Sequence, residues 1–136
     1  MKFTAVLTMA LAATTASAQG FAFFCDHDSL RFDDGHNLKL KCNTKHSSKK
    51  TTTLDLDKCF ANDHGSLRRR DNGKYSETCT LCQISKYKPT ELYCRCKDTT
   101  GMDHGTDIDL PNSPHPTEKY LTNQNGVICC GKHCGE

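Results

Sequence analysis

The sequence predicts an all-β fold made of two tandem copies of one disulfide-stapled unit. Three observations indicate this fold: short segments in which apolar and polar residues alternate, a pattern that recurs along the chain, and ten cysteines among 136 residues. No segment shows a sustained 3.6-residue apolar period, apart from about one helical turn near residues 58–61. A chain of this size with few large apolar residues needs cross-links to support its small core.

Residues 1–18 are predicted to be a signal peptide. Lys2 precedes an apolar run from Phe3 to Ala13, and Ala16-Ser17-Ala18 supplies the small residues of a cleavage site. The run is shorter than the roughly 20 residues of a membrane span, and no later segment approaches that length. We therefore expect a secreted, extracellular protein without membrane insertion, in which cysteines form disulfides because the compartment is oxidising.

The first predicted strand of each copy ends on a cysteine. Leu38, Leu40 and Cys42 alternate with lysines, which is the period-two pattern of a strand with one buried face. The same pattern returns 54 residues later, at 92–96. Residues 53–57 and 106–110 form a second recurring pair of predicted strands or strand ends.

A turn motif follows these strands in both copies. Asn62 to Leu67 recurs as Asn123 to Ile128, at a shift of 61 residues because a proline-rich loop at 111–116 lengthens the second copy. The glycines of both turns suit a backbone with positive φ. We expect one domain at 19–130, with repeats at about 21–70 and 75–130, and a C-terminal tail at 131–136.

The repeat also predicts two disulfides. If both copies share a structure, Cys25 pairs with Cys42 and Cys79 pairs with Cys96. Each staple of this loop length contributes roughly 3 kcal/mol in the chain-entropy model. The other six cysteines have no symmetric partners, and their connectivity stays open: they are Cys59, Cys82, Cys94, Cys129, Cys130 and Cys134.

The composition argues against several classes of function. A net charge of +2 does not favour nucleic acid as a partner. No nucleophile elbow or HExxH motif is present, and the Asp-x-Asp pairs at 55–57 and 107–109 occur in both copies, which favours a structural role over catalysis. Cys79-x-x-Cys82 lacks the second pair of a zinc ribbon. We therefore expect no enzyme, no metal and no cofactor.

Taken together, these motifs resemble the cyanovirin-N homology (CVNH) lectins, and in cysteine content their fungal members. The resemblance covers about residues 21–130 and rests on the order and duplication of the motifs. It implies a pseudo-symmetric fold in which the halves exchange strands, as a monomer or a strand-swapped dimer. It also implies binding of mannose-type glycans on glycoproteins or cell walls. The motifs that carry it are Cys25, 38–42, 54–57, 62–67 and 77–79, with 92–96, 108–110 and 123–128 in the second copy.

The resemblance implies two possible sugar sites of unequal quality. In the first, Glu77-Thr78 and Asn62 keep the residue types of the lectins, whereas His64 replaces an acidic residue. In the second, Phe23 and Phe24 replace the polar pair, and a phenylalanine cannot hydrogen-bond a sugar hydroxyl. We therefore expect one competent site. The matching positions of the first site are Asn62, His64, Lys74, Glu77, Thr78, Lys97 and Asp98. Those of the second, weaker site are Gly20, Phe23, Phe24, Asn43, Lys45 and Asn123.

Two other interpretations remain open. In one, the candidate site residues are solvated, and Asn62 and Asn123 only hold their turns, because a fold does not dictate a function. In the other, the chain is a secreted effector or interaction protein that keeps the lectin scaffold but has lost sugar binding. Exposed Phe21, Phe23 and Phe24 would suit that interpretation, since clustered exposed aromatics mark interfaces.

Overall fold

The computed structural model describes residues 25–85, 90–111 and 120–136. The predicted signal peptide, Gly20 and the three phenylalanines at 21, 23 and 24 lie outside the described residues. Within the described ranges, no helix has the length and apolar character needed to cross a membrane. The two short 3₁₀ turns are Leu56–Lys58 and Tyr75–Glu77. The strands are β1 Cys25–Asp33, β2 Asn37–Asn43, β3 Lys49–Asp55, β4 Phe60–Asp63, β5 Ser66–Arg69, β6 Cys79–Ile84, β7 Glu91–Lys97, β8 Asp103–Asp109, β9 Thr122–Gln124, β10 Val127–Cys130 and β11 His133–Cys134.

Two antiparallel three-stranded sheets form the body of the fold, in the orders β1-β2-β3 and β6-β7-β8. Their registers match: Cys25 lies opposite Cys42 in the first sheet, as Cys79 lies opposite Cys96 in the second. The first strand of each sheet carries a bulge. The all-β fold predicted from the alternating pattern is confirmed.

The alternating residues of β2 and β7 build the core. Leu38, Leu40 and Cys42 are buried while the lysines between them are exposed, because successive side chains point to opposite faces of a strand. The buried residues of β7 are their counterparts: Leu92, Cys94 and Cys96. Tyr75 is also fully buried, and its hydroxyl donates to the Gly35 carbonyl at 2.6 Å.

Each sheet packs against a hairpin from the other repeat. The β4-β5 hairpin packs beside β8, where the Leu67 N–H donates to Thr106 Oγ1 at 3.1 Å. The β9-β10 hairpin packs beside β3, where the Ile128 N–H donates to Thr52 Oγ1 at 3.2 Å. The two bonds are equivalent under the repeat. This reciprocal packing is the strand exchange that the resemblance implies.

All ten cysteines form disulfides, so no thiolate remains to bind a metal. The structure pairs Cys25 with Cys42 and Cys79 with Cys96, as the repeat predicts. The pairs that sequence left open are Cys59–Cys130, Cys82–Cys94 and Cys129–Cys134. The Cys59–Cys130 bridge joins the two repeats across 71 residues.

Residues 131–136, which follow the predicted domain, make backbone contacts with it. β11 pairs with β10, and Cys129 lies opposite Cys134 in that pairing. Glu136 then exchanges two backbone hydrogen bonds of 3.0 Å with Thr53 at the edge of β3. The physical reason is an open strand edge, whose backbone groups need partners.

Candidate functional site

The turn between β4 and β5 presents His64 at its tip. Asn62 Oδ1 accepts a hydrogen bond from the Gly65 N–H at 2.8 Å, which closes the turn. His64 and Gly65 both have positive φ, at 51° and 94°. The His64 side chain is therefore exposed at the end of the hairpin that packs on the second sheet.

The amide nitrogen of Asn62 ties this hairpin to the second repeat. It donates to Thr78 Oγ1 at 2.9 Å and to the Lys97 carbonyl at 2.8 Å, so both of its N–H groups are used. Because Thr78 Oγ1 already accepts from Asn62, the hydroxyl proton of Thr78 is left to donate to another group. Asn62 is thus a structural residue that also orients a neighbouring hydroxyl.

Thr78 and Lys97 are held side by side by backbone and disulfide. The Lys97 N–H donates to the Thr78 carbonyl at 3.1 Å. The next residues inward are Cys79 and Cys96, which form one of the disulfides. A side chain at Thr78 therefore projects from a rigid part of the sheet, which favours a preorganised binding group.

Asp98 organises the turn that follows β7. Its Oδ1 accepts from the Thr100 hydroxyl at 2.6 Å and from the backbone N–H groups of Thr100 and Met102 at 2.8 and 3.0 Å. Its Oδ2 lies 2.6 Å from His104 Nε2. The Thr100 hydroxyl, and then His104, hold the pKa of Asp98 well below its ordinary value, so the carboxylate stays charged.

His104 joins this turn to the hairpin. A Cβ atom placed on Gly65 would lie only 2.8 Å from His104 Cδ2, so the glycine lets the hairpin tip approach the imidazole. Asp98, His104 and Gly65 thus connect three segments: the turn after β7, β8 and the hairpin tip. The sequence motifs do not single out His104.

These elements enclose an open cleft of about 490 Å³. Five of the seven predicted residues line it, whereas Lys74 and Glu77 do not. Both of those residues are exposed, and no described side chain pairs with the Glu77 carboxylate. The lining residues are Asn62, Asp63, His64, Arg70, Thr78, Lys97, Asp98 and Thr99.

Three of the lining residues were missed by the sequence reasoning. Asp63 and Thr99 are chain neighbours of predicted positions, which was the available signal. Arg70 lies in a basic run, Arg68-Arg69-Arg70, which predicts only a solvated surface. Its place in the cleft follows from how the β4-β5 hairpin packs, which the run itself does not indicate.

The second predicted site repeats the backbone of the first without its ion pair. Asn123 Oδ1 accepts from the Gly126 N–H at 2.8 Å, and its nitrogen donates to the Asn43 carbonyl at 3.0 Å. The Lys45 N–H donates to Asn125 Oδ1 at 2.8 Å. The residues in the places of Asp98 and His104 are Thr44 and Lys50. The position equivalent to Thr78 is Phe24, which lies outside the described residues.

A third cluster has the residue types of a metal site, but its side chains are used in hydrogen bonds within the protein. The ligand-type atoms of His36, Asp55 and Asp57 lie within 4.8 Å of one another. Asp57 accepts from the Ser76 N–H and hydroxyl at 2.9 and 2.5 Å, and Asp55 Oδ1 accepts from the Asp57 N–H at 3.0 Å and lies 2.8 Å from His36 Nδ1. The cluster therefore joins the two 3₁₀ turns, which is a structural role.

Comparison with known proteins agrees with this fold. The family model described as the CVNH domain matches residues 21–129. No curated protein sequence matches the chain significantly. Three solved structures illustrate the similarity of fold.

The CVNH protein of T. borchii is 25% identical, with a TM-score of 0.59, over 82% of this chain and 98% of its own. Microvirin, solved as a mannobiose complex, is 22% identical with a TM-score of 0.63, over 83% and 99% of the two chains. A variant of MoCVNH3, solved in complex with (N-GlcNAc)4, is 13% identical with a TM-score of 0.69, over 83% and 97%.

Proposed function

Because this chain belongs to the CVNH family, we propose that it is a secreted lectin whose cleft at Asn62 binds mannose-type glycans. The observation that carries the proposal is the Thr78 hydroxyl, which Asn62 leaves with a proton to donate into an open, polar cleft. The bound sugars of microvirin and of the MoCVNH3 variant support the general class of ligand.

The groups around the cleft suit a ligand rich in hydroxyls. Thr78 and Thr99 offer hydroxyls, which can donate and accept, while the Asp63 carboxylate accepts. Hydrogen bonds to a charged group are stronger than bonds between neutral groups, so Asp63 adds both affinity and orientation. Binding of this kind requires no bond to be made or broken, and we propose a non-enzymatic role.

We further propose one competent site in the chain. The Asn123 amide makes the same turn bond and inter-repeat bond as Asn62, but Thr44 and Lys50 stand where Asp98 and His104 pair in the first site. The scaffold is therefore shared by both halves, while the chemistry for sugar is concentrated in one.

A glycan array with the oxidised, mature protein tests the proposal. We expect binding of mannose-type glycans, and we expect Thr78→Val to weaken it at least tenfold, because the variant keeps the shape but lacks the hydroxyl. Thr51→Val is the matched control, since Thr51 is exposed on the first sheet, away from the cleft. Native protein that binds no glycan, or equal losses in the two variants, would contradict the proposal.

A second candidate function is protein binding on the same scaffold. The observation that favours it is the exposure of two large apolar side chains, Leu81 at 74% and Met102 at 65%. Native folding without binding of any glycan on the array would favour this function over the first.

A further inference from the structure

The carboxylates that line the cleft are already paired. Asp98 lies 2.6 Å from His104 Nε2. Asp63 lies 3.5 Å from His64 Nε2 and 3.9 Å from Arg68 Nε. Each carboxylate that lines the cleft therefore already lies beside a nitrogen group of the protein.

Lys97 and Arg70, the lysine and the arginine that line the cleft, differ in whether a carboxylate pairs with them. Lys97 Nζ lies 3.1 Å from Asp103 Oδ1, so its charge has a partner. Arg70, by contrast, has no carboxylate within ion-pair distance among the described residues. The acid nearest to it in sequence, Asp71, pairs with Arg69 at 2.7 Å, which also holds the pKa of Asp71 below its ordinary value. The uncompensated charge of the cleft is thus the guanidinium of Arg70.

The backbone beneath Arg70 is well fixed although its side chain is exposed. Its N–H donates to the Cys59 carbonyl at 3.0 Å, directly beside the Cys59–Cys130 bridge. Arg69 reinforces this point by donating to the same carbonyl at 2.7 Å. The backbone that carries this guanidinium is therefore already ordered. The conformational entropy lost when Arg70 binds a ligand comes mainly from its own side chain.

We propose that the glycan bound in this cleft carries an anionic group, and that Arg70 binds that group. This inference rests on the proposed lectin function and deepens it. A planar guanidinium offers two parallel donors to a carboxylate, a phosphate ester or a sulfate ester, and this match gives direction as well as strength. A neutral sugar can still bind in the cleft by hydrogen bonds to Thr78 and Asp63, but it has no negative charge to pair with Arg70.

Affinities for matched acidic and neutral sugars test the inference. One pair is an oligomannuronate and its fully methyl-esterified form; a second is mannose 6-phosphate and mannose, and a third is mannose 6-sulfate and mannose. We expect the wild type to bind at least one acidic form about tenfold or more tightly than its neutral partner at low salt. The pair that shows the preference identifies the carboxylate, the phosphate or the sulfate as the group recognised.

Variants assign the preference to Arg70. Arg70→Gln should abolish the preference by lowering the affinity for the acidic form to about that for its neutral partner, and Arg70→Lys should keep part of the preference. Arg31→Gln is the matched control, because it removes the same charge from an exposed arginine of β1 that neither lines the cleft nor pairs with a residue that does. Thermal unfolding of each variant verifies that the fold is intact.

Two different failures can be told apart. Equal affinities for acidic and neutral forms in the wild type, or a preference that survives in Arg70→Gln, would overturn the inference and leave the lectin function standing. Absence of binding to every sugar, acidic or neutral, by a natively folded protein would overturn both.

Discussion

The side-chain amide of Asn62 donates to the Lys97 carbonyl at 2.8 Å, and Asn123 donates to the Asn43 carbonyl at 3.0 Å. Each bond joins the hairpin of one repeat to the sheet of the other, and each asparagine also closes its own turn. The two residues therefore perform the same structural task. The Asn62 bond differs because it also borders a cleft whose hydroxyl it orients.

Replacing these asparagines separates their structural task from sugar binding. Asn62→Ala and Asn123→Ala should each lower the free energy of unfolding by about 1–3 kcal/mol, because backbone groups lose their partners. Only Asn62→Ala should abolish glycan binding. Urea unfolding and glycan titration of both variants check this, and an equal loss of binding in the two would refute the assignment of a single site.

Gly65 tests the packing of the hairpin tip on His104. Gly65→Ala should cost more than about 1 kcal/mol, because the new Cβ meets the imidazole at 2.8 Å and φ is +94°. Gly101→Ala is the control: its φ is +89°, but nothing lies within 4 Å of the added atom. The difference between the two unfolding free energies isolates the contact. A difference near zero would show that His104 simply moves aside.

The Cys59–Cys130 disulfide, which joins the repeats, should contribute more to the free energy of unfolding than the Cys129–Cys134 disulfide. In the chain-entropy model, the bridge that spans 71 residues contributes about 4 kcal/mol and the one that spans 5 residues about 2 kcal/mol. The double variants Cys59→Ser/Cys130→Ser and Cys129→Ser/Cys134→Ser compare them, with unfolding followed in guanidinium chloride. If the variant without the Cys129–Cys134 bridge were the less stable of the two, the loop-length argument would be wrong. The short bridge would then act by holding the C-terminal residues in their pairing with β3.

The charge of Asp98 gives the stability a dependence on pH. Its pKa in the folded protein lies below the value of about 3.9 expected in the unfolded chain. The stabilisation is therefore complete above about pH 4 and is lost as the pH falls through the lowered folded pKa. Asp98→Asn should be less stable than the wild type at pH 7, with the gap narrowing below pH 4. Thermal unfolding from pH 7 to pH 2 measures the gap; a constant gap would contradict this origin.

The sequence predicts the sheets well because each strand carries its own alternating pattern. Leu38, Leu40 and Cys42 are enough to place β2, and the repeat then places β7 and the first disulfide of each sheet. It does not predict the Cys59–Cys130 bridge. At the 61-residue shift that holds beyond the inserted loop, the positions equivalent to those two cysteines are Tyr120 and Arg69, so the symmetry argument has no second pair of cysteines to compare.

The candidate site likewise contains residues that the sequence predicts and residues that it does not. Asn62, Thr78 and Asp98 follow from the resemblance, because the motifs that carry it contain or border them. Arg70 and His104 enter only through the packing of the β4-β5 hairpin on β8. That packing depends on contacts between distant parts of the chain, for which a local pattern carries no signal.

The exchange of hairpins also sets an order of events during synthesis. β3 and β10 meet through a bond between residues 76 positions apart, Thr52 and Ile128. As the chain emerges from the ribosome, the first sheet can form early but must wait, with one side uncovered, until residues near 128 have been made. Cys59 likewise lacks its native partner until Cys130 has been made, so wrong pairings and dependence on folding helpers should be greatest before that point.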